Sequence, residues 1–450
     1  MSDPAEPFTR RGFLRMAAGA AAAAAVAGCG SAVQKDRGSA AEERRANSSR
    51  ATTLRIAQWS HFIPAYDQWF DEDYTKRWTD KTGIDVVVDH FPLEQLATRA
   101  QTEVATQQGH DLFYFVTPAP AFEDHVIDHR EVVEEVEAKV GKMVPLVERS
   151  IFNPRTKKWF GFSDSWSPGP VHYRGDTWRA IGIKPETWGA VLRGAPKVKQ
   201  TGQPVGLGLS REFDSSVTLL SLMHAYGSSV QDEAGNVAIN RPETVEAVKV
   251  MTAIYQAGMP QDVFTWDASA NNRYLAGGRG SLIVNAVSAL RAIETQDNDM
   301  ASRVELLPTP AGPGGRHGVY VTGTYVIWKF ARNQEAAKQF LADLAIDYRD
   351  AFEKSAFYNL PSFPGSVPDL TGLVAREPKY AVLADAASWS TNFGHPGYAS
   401  AAMDEASNQF IVPDMFAAAA RGTLSAEEAV RRADAQLRPI FDRWRERGKV

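Results

Sequence analysis

At 450 residues the chain is too long for one comfortable hydrophobic core, so two lobes are expected. Its 44% hydrophobic and 23% charged residues are ordinary for a globular protein. A net charge of −5 with no dense Lys/Arg stripe argues against a nucleic-acid partner. The 11 Trp and 13 Tyr supply faces on which sugar rings stack, with core packing as the competing use of most of them.

Thr9-Arg10-Arg11-Gly12-Phe13-Leu14-Arg15 resembles a twin-arginine export signal, with Arg10 and Arg11 as the pair that is read. The alanine-rich run from Met16 to Gly28 is too short to span a bilayer, which takes about 20 residues. It ends in Val26-Ala27-Gly28-Cys29, which resembles a lipobox. Residues 1–28 therefore read as a lipoprotein signal peptide, with Cys29 lipidated. Cys29 is also the sole cysteine, which leaves no internal disulfide. Residues 29–52, rich in Ser, Ala and charge, read as a flexible tether. The expected location is outside the cytoplasm, held to the cell membrane by lipid.

Leu54 to Trp59 alternates as a half-buried strand and delivers Trp59-Ser60-His61-Phe62 to its carboxyl end, where open α/β sheets bind ligands. Tyr66 to Thr79 has helical spacing, Ile84 to Val88 reads as a strand, Leu93 to Gln108 as a helix, and Asp111 to Val116 as a third strand. This alternation predicts a parallel sheet. Val116-Thr117-Pro118 would then lie at a carboxyl edge, with Thr117 as a candidate contact. His125 and His129 sit four apart, but zinc would need a third ligand, and a solvated helix face explains the pair.

Further on, Lys158 to Ser163 and Pro170 to Arg174 read as a strand pair around a turn that holds Trp166, a candidate contact. Val205 to Leu209 reads as a strand, and Ser210 to Asp214 as the loop after it. Glu212 and Asp214 could anchor vicinal sugar hydroxyls or cap the helix from Ser215 to Tyr226, and both readings stay open. Pro242-Glu243 suits a first helical turn, Val245 to Tyr255 keeps helical spacing, and Gly258 can close the helix in a left-handed conformation. A loop with Trp266-Asp267, a short helix from Asn271 to Ala276, Gly277-Gly278 and an apolar strand from Ser281 to Asn285 follow. Trp266 and Asn285 are candidates at a cleft mouth.

Leu306 to Gly315 reads as a hairpin loop before a strand from Tyr320 to Lys329, in which Tyr325 could face a cleft. Asn333 to Leu344 is an amphipathic helix. Trp389-Ser390-Thr391-Asn392-Phe393-Gly394-His395 is aromatic, polar and unperiodic, and offers Trp389 and Asn392 as ligand contacts or as a packed connector. Ser425 and Glu428 form a capping box before a last helix that Pro439 should kink.

The order from Asn240 to Asn285, and the block Tyr173-Arg174, Asp176, Gly182-Ile183-Lys184-Pro185-Glu186-Thr187-Trp188, resemble the extracellular solute-binding proteins of ABC importers, in the branch that carries sugars and oligosaccharides. One departure is Gly189-Ala190-Val191-Leu192, where that family continues with an acidic residue and a clear helix. The resemblance implies an α/β, two-lobed periplasmic-binding-protein-like fold of type II, each lobe a mainly parallel sheet flanked by helices. It assigns 53–165 plus 283–330 to lobe one and 166–282 plus 331–450 to lobe two. Its implied ligand contacts include Trp59 and His61.

The implied function is capture of a sugar or oligosaccharide between the lobes by a monomer, and delivery to ABC permease subunits. No cofactor, metal or catalytic residue is expected. Consistent with binding, no nucleophile elbow, His-Glu-x-x-His helix or Walker motif is present. A glycan-cleaving enzyme and a binding protein for a polyamine remain the alternatives, since sequence gives no carboxylate distances.

Overall fold

The computed structural model describes residues 53–319 and 321–450. Arg10, Arg11, Cys29 and the whole tether lie outside the described residues. Ala51–Val450 forms one compact unit.

The first sheet has four strands in the order Thr324–Ile327, Leu112–Phe115, Thr53–Trp59, Asp85–Phe91. The last three are parallel, as their alternation with helices predicts, and Thr324–Ile327 runs antiparallel along Leu112–Phe115. Leu54, Ile56, Leu112 and Phe113 are fully buried beneath flanking helices. One flank is a continuous helical run of Pro64–Gln68, a π-helical turn Trp69–Tyr74 and Thr75–Thr82. Phe70, Tyr74 and Trp78 each meet Phe340 edge-on, at 5.9, 5.4 and 5.2 Å between ring centres. Phe340 belongs to helix Gln334–Ile346, which also packs on helix Arg130–Val140.

Asp111 shows why a carboxylate opens the third strand. Its Oδ1 accepts the N–H groups of Arg332 and Asn333 at 2.9 and 3.0 Å, and its Oδ2 accepts that of Arg55 at 3.0 Å. One buried side chain thereby pins three separate segments.

The second sheet is Leu282–Val284, Val171–Arg174 and Val304–Leu307, with both ladders antiparallel. The mainly parallel second sheet expected from sequence is therefore corrected. Both neighbours of Val171–Arg174 run against it, and the run from Val205 to Leu209 reduces to one parallel bridge, Val205 to Leu282. Leu282–Val284 pairs with the second sheet rather than the first, and Gln334–Ile346 packs on the first sheet's side.

Helices Trp188–Gln200, Phe213–Ala225, Pro242–Gly258, Ile411–Ala420 and Ala426–Glu446 pack against one another in a helical layer. The glycine after Trp188 does not prevent its helix. Thr187 caps it by accepting the Ala190 N–H at 3.1 Å, and Gly194 leaves room for the Trp178 ring. Gly258 ends its helix without a left-handed backbone; its missing side chain lets it touch Ala195 instead. The capping box forms in both directions, Glu428 N–H to Ser425 Oγ at 3.2 Å and Ser425 N–H to Glu428 Oε2 at 3.0 Å. The helix is continuous through Pro439.

Three segments cross between the two sheets, Ser165–Ser167, Val321–Thr322 and Leu360–Pro361. They pair with one another in a small antiparallel sheet. Such side-by-side crossings are where a hinge would bend.

His129 corrects another expectation. It is buried, not on a solvated helix face. Its Nδ1–H donates to the Trp159 carbonyl at 3.0 Å, and its Nε2 accepts the Ile327 N–H at 3.0 Å. Burial pushes its pKa down to about 4, which keeps it neutral.

Candidate functional site

Strand Leu112–Phe115 is followed by Thr117 and Pro118, and Pro120 begins a short 3₁₀ turn, Pro120–His125. Helix Ala401–Asn408 packs against that turn. Between them opens a cavity that is continuous with solvent. Thr117, Pro118 and Pro120 line it from the first sheet's side. Phe213, Ser216, Phe393, Met403, Asp404, Ser407, Asn408 and Phe410 line it from the other. The wall is largely apolar, as small-molecule sites are, and a few polar groups are set into it.

Each wall residue has a local reason for its place. Phe213 opens the central helix Phe213–Ala225, whose other residues are almost all buried, so its ring is left at the mouth. Phe393 leans on Phe213, with ring centres 6.1 Å apart. Ser400 caps helix Ala401–Asn408 by accepting the Met403 N–H at 3.2 Å. That fixes the face on which Met403, Asp404 and Ser407 stand, at helical spacing. Phe410 precedes the next helix with φ of 56°, a left-handed backbone that a bulky residue rarely adopts.

Asp404 is the charged member of the wall. Its Oδ2 accepts the Ala121 N–H from across the cavity at 3.3 Å, and its Oδ1 accepts the Asn408 amide at 2.9 Å. Loss of water around the carboxyl raises its pKa to about 7.

Thr117 lies on the cavity wall. Glu212 and Asp214 flank the lining residue Phe213 in sequence and are themselves buried, off the lining. Glu212 is the N-cap of the central helix, accepting the N–H groups of Asp214 and Ser215 at 2.6 and 2.5 Å and the Ser215 hydroxyl. Burial first, and then the neighbouring Asp214 carboxylate, push its pKa up. Asp214 accepts the side-chain amides of Asn271 and Asn285, both at 2.9 Å. Asn285 also donates to Asn272 at 2.6 Å and Asn271 at 3.1 Å. This network ties the central helix to helix Ala270–Ala276 and to the end of strand Leu282–Val284.

The remaining candidates sit elsewhere. Trp59 is buried and stacks on Tyr114 at 6.4 Å with ring planes 10° apart. His61 is buried among Trp59, Tyr66 and Tyr358, at 4.9, 4.6 and 4.8 Å. Its Nδ1 accepts the Ile63 N–H at 2.9 Å, so its Nε2 carries the proton and faces Asn359 Oδ1 at 3.4 Å. Burial lowers its pKa to about 4. Tyr325 is fully buried against Tyr114 at 4.8 Å. Trp166 is buried in the crossing sheet beside Thr322 and Leu360.

Trp266 is half-buried and leans on Tyr274 at 5.1 Å, and its carbonyl accepts the Ser210 hydroxyl at 2.7 Å. Trp389 is buried, and its carbonyl accepts the Gly318 N–H at 2.7 Å. Asn392 is buried and donates to the Gly397 carbonyl at 2.9 Å. Sequence reasoning missed Phe213, Phe393, Met403, Asp404 and Phe410. Two of these adjoin named candidates, but helix Ala401–Asn408 carried no recognised signal.

Among the described residues no group of three or more His, Cys, Asp or Glu stands where it could hold a metal ion. No helix among them is long and apolar enough to cross a membrane.

Residues 61–345 match the family described as bacterial extracellular solute-binding protein. A Deinococcus radiodurans protein named "Probable ABC transporter-binding protein" is 23% identical over 304 residues, which is 64% of this chain and 69% of that protein. A Brucella abortus protein described as a binding protein is 26% identical over 190 residues. That match takes 41% of this chain, and the chain spans about half, 46%, of that relative's length.

Among solved structures, an ABC transporter solute-binding protein from Thermotoga lettingae, bound with alpha-D-tagatose, superposes with a TM-score of 0.73. Its identity is 17%, over 87% of this chain and 100% of that one. Maltose-bound MalE3 of T. maritima gives a TM-score of 0.72 at 19% identity, over 86% and 99%. At such identities the likeness shows the fold, the two-lobed α/β fold of periplasmic binding proteins. With the family matched over more than half of its length, the chain belongs to the bacterial extracellular solute-binding proteins, a family of binding proteins and not of enzymes.

Proposed function

We propose that the protein captures a sugar or oligosaccharide in the cavity between the two sheets and hands it to the permease of an ABC importer. The observation that carries this reading is the cavity itself. It opens at the carboxyl end of a parallel strand and is closed on its other side by the start of helix Phe213–Ala225 and by helix Ala401–Asn408, in a chain whose paired crossings offer a place to bend. Structurally similar proteins have been seen with tagatose, maltose and laminaribiose, which supports a sugar as cargo. Arg10 and Arg11 as an export pair, and Cys29 as a lipid attachment point, support a monomer tethered outside the cytoplasm near its permease. Among the candidates, Thr117 would touch cargo directly. Glu212, Asp214 and Asn285 would stiffen the wall behind it.

Thermal unfolding against mono-, di- and oligosaccharides, with polyamines and amino acids alongside, tests the reading. Cargo at about 100 times its dissociation constant adds roughly 2.7 kcal/mol and raises the midpoint by a degree or more. A shift with sugars and no hydrolysis product is expected. A shift with amino acids alone would move the function to another solute.

A further inference from the structure

The cavity wall is uneven in charge. Among the described residues, Asp404 is its one ionisable side chain, and neither Lys nor Arg lines it. Each Asp404 oxygen accepts one hydrogen bond from a neutral amide, at 3.3 Å from the Ala121 N–H and 2.9 Å from Asn408 Nδ2. The neighbouring charge is a second acid, Glu405, whose own oxygens are taken by Arg443 and by Trp444 Nε1 at 2.7 Å. Asp404 is half-buried, so its carboxylate has given up part of its water without gaining a counter-charge.

Three rings line the same cavity, Phe213, Phe393 and Phe410. Aromatic faces carry negative potential and attract cations, more strongly where water is excluded. Phe410 lines the cavity from a left-handed backbone (φ of 56°), and strain of this kind gathers where a side chain is held for a purpose. A neutral hydroxyl would satisfy one lone pair of Asp404 and leave its charge uncompensated. An ammonium would satisfy both the charge and the rings.

Building on the sugar-capture reading above, we propose that the cavity takes an amine-bearing sugar, with its ammonium against Asp404 and between Phe213, Phe393 and Phe410. Such a solute presents an apolar ring face to the phenyl groups, a cation to the carboxylate, and hydroxyls to Ser407, Asn408 and Thr117.

The test compares matched solutes that differ in one charge: glucosamine with glucose and with N-acetylglucosamine, and the glucosamine disaccharide with cellobiose. Titration calorimetry on the wild-type protein should show each amine binding about tenfold more tightly than its neutral or N-acetylated partner. Asp404→Asn, checked for folding by circular dichroism, should reduce that preference to within about threefold. The N-acetyl comparison needs no variant, so the test survives if Asp404→Asn does not fold. Equal or tighter binding of the neutral partners would overturn the amine assignment and leave sugar capture standing. An undiminished preference in Asp404→Asn would also overturn it, by placing the ammonium elsewhere. Binding of no sugar, charged or neutral, would overturn both readings.

Discussion

Lowering the pH from 7 to 5 should cost the folded protein stability through His61, by an amount the structure sets. In the unfolded chain this imidazole titrates near 6.5, whereas in the fold burial holds it near 4. The folded state therefore favours the neutral ring. Its contribution is fully present above 6.5 and is lost as the pH falls towards 4. The whole gap is worth about 3 kcal/mol, of which about 2 kcal/mol is already lost at pH 5. His129 and His172, also buried and lowered to about 4, add to the wild-type slope, so a variant must isolate His61. His61→Asn keeps an acceptor for the Ile63 N–H and removes the titration. Urea unfolding of both proteins at pH 7 and pH 5 should show the wild type losing about 2 kcal/mol more than the variant. Parallel losses would refute the claim that His61 is held neutral by the fold.

Three further perturbations have defined outcomes. Gly258→Val drives a side chain into Ala195 where helices Trp188–Gln200 and Pro242–Gly258 meet, and should cost about 1–3 kcal/mol in urea unfolding. Unchanged stability would mean the helices are not in contact there. Asp214→Ala removes the acceptor shared by Asn271 and Asn285, and should cost about 2–3 kcal/mol by the same assay. It should also let Glu212 titrate at lower pH, since Asp214 helps to push it up. Lys449→Met leaves the buried Glu123 without its Lys449 partner at 3.1 Å, and should lower stability by about 3 kcal/mol. A loss under about 0.5 kcal/mol would class that pair with exposed ion pairs.

The fold was legible because period and punctuation agree. Alternation from Leu54 to Trp59 and helical spacing from Tyr66 to Thr79 are local signals, and local signals suffice to place a parallel sheet. The partner of Leu282–Val284 was not legible, because an apolar run of three residues carries no direction; pairing against Val171–Arg174 is a tertiary outcome. The cavity was less legible still. Its wall is assembled from the Thr117 turn, the start of helix Phe213–Ala225, Phe393 and helix Ala401–Asn408, segments far apart in sequence. Aromatic and polar types at loop positions pointed to His61, Trp389 and Asn392. These types serve equally well inside a core, where the Asn392 amide donates to the Gly397 carbonyl and His61 accepts the Ile63 N–H. Strand-end geometry, rather than residue type, pointed to Thr117, which lines the cavity.

The most direct test of the central claim is calorimetric titration of Ser407→Trp with the sugar that most raises the wild-type unfolding midpoint. Ser407 is half-buried on the cavity wall, and an indole there would fill the space cargo needs while leaving the core untouched. Capture between the Thr117 turn and helix Ala401–Asn408 predicts binding at least about a hundredfold weaker, with the unliganded midpoint little changed. Wild-type affinity in a folded Ser407→Trp protein would place the cargo somewhere other than this cavity.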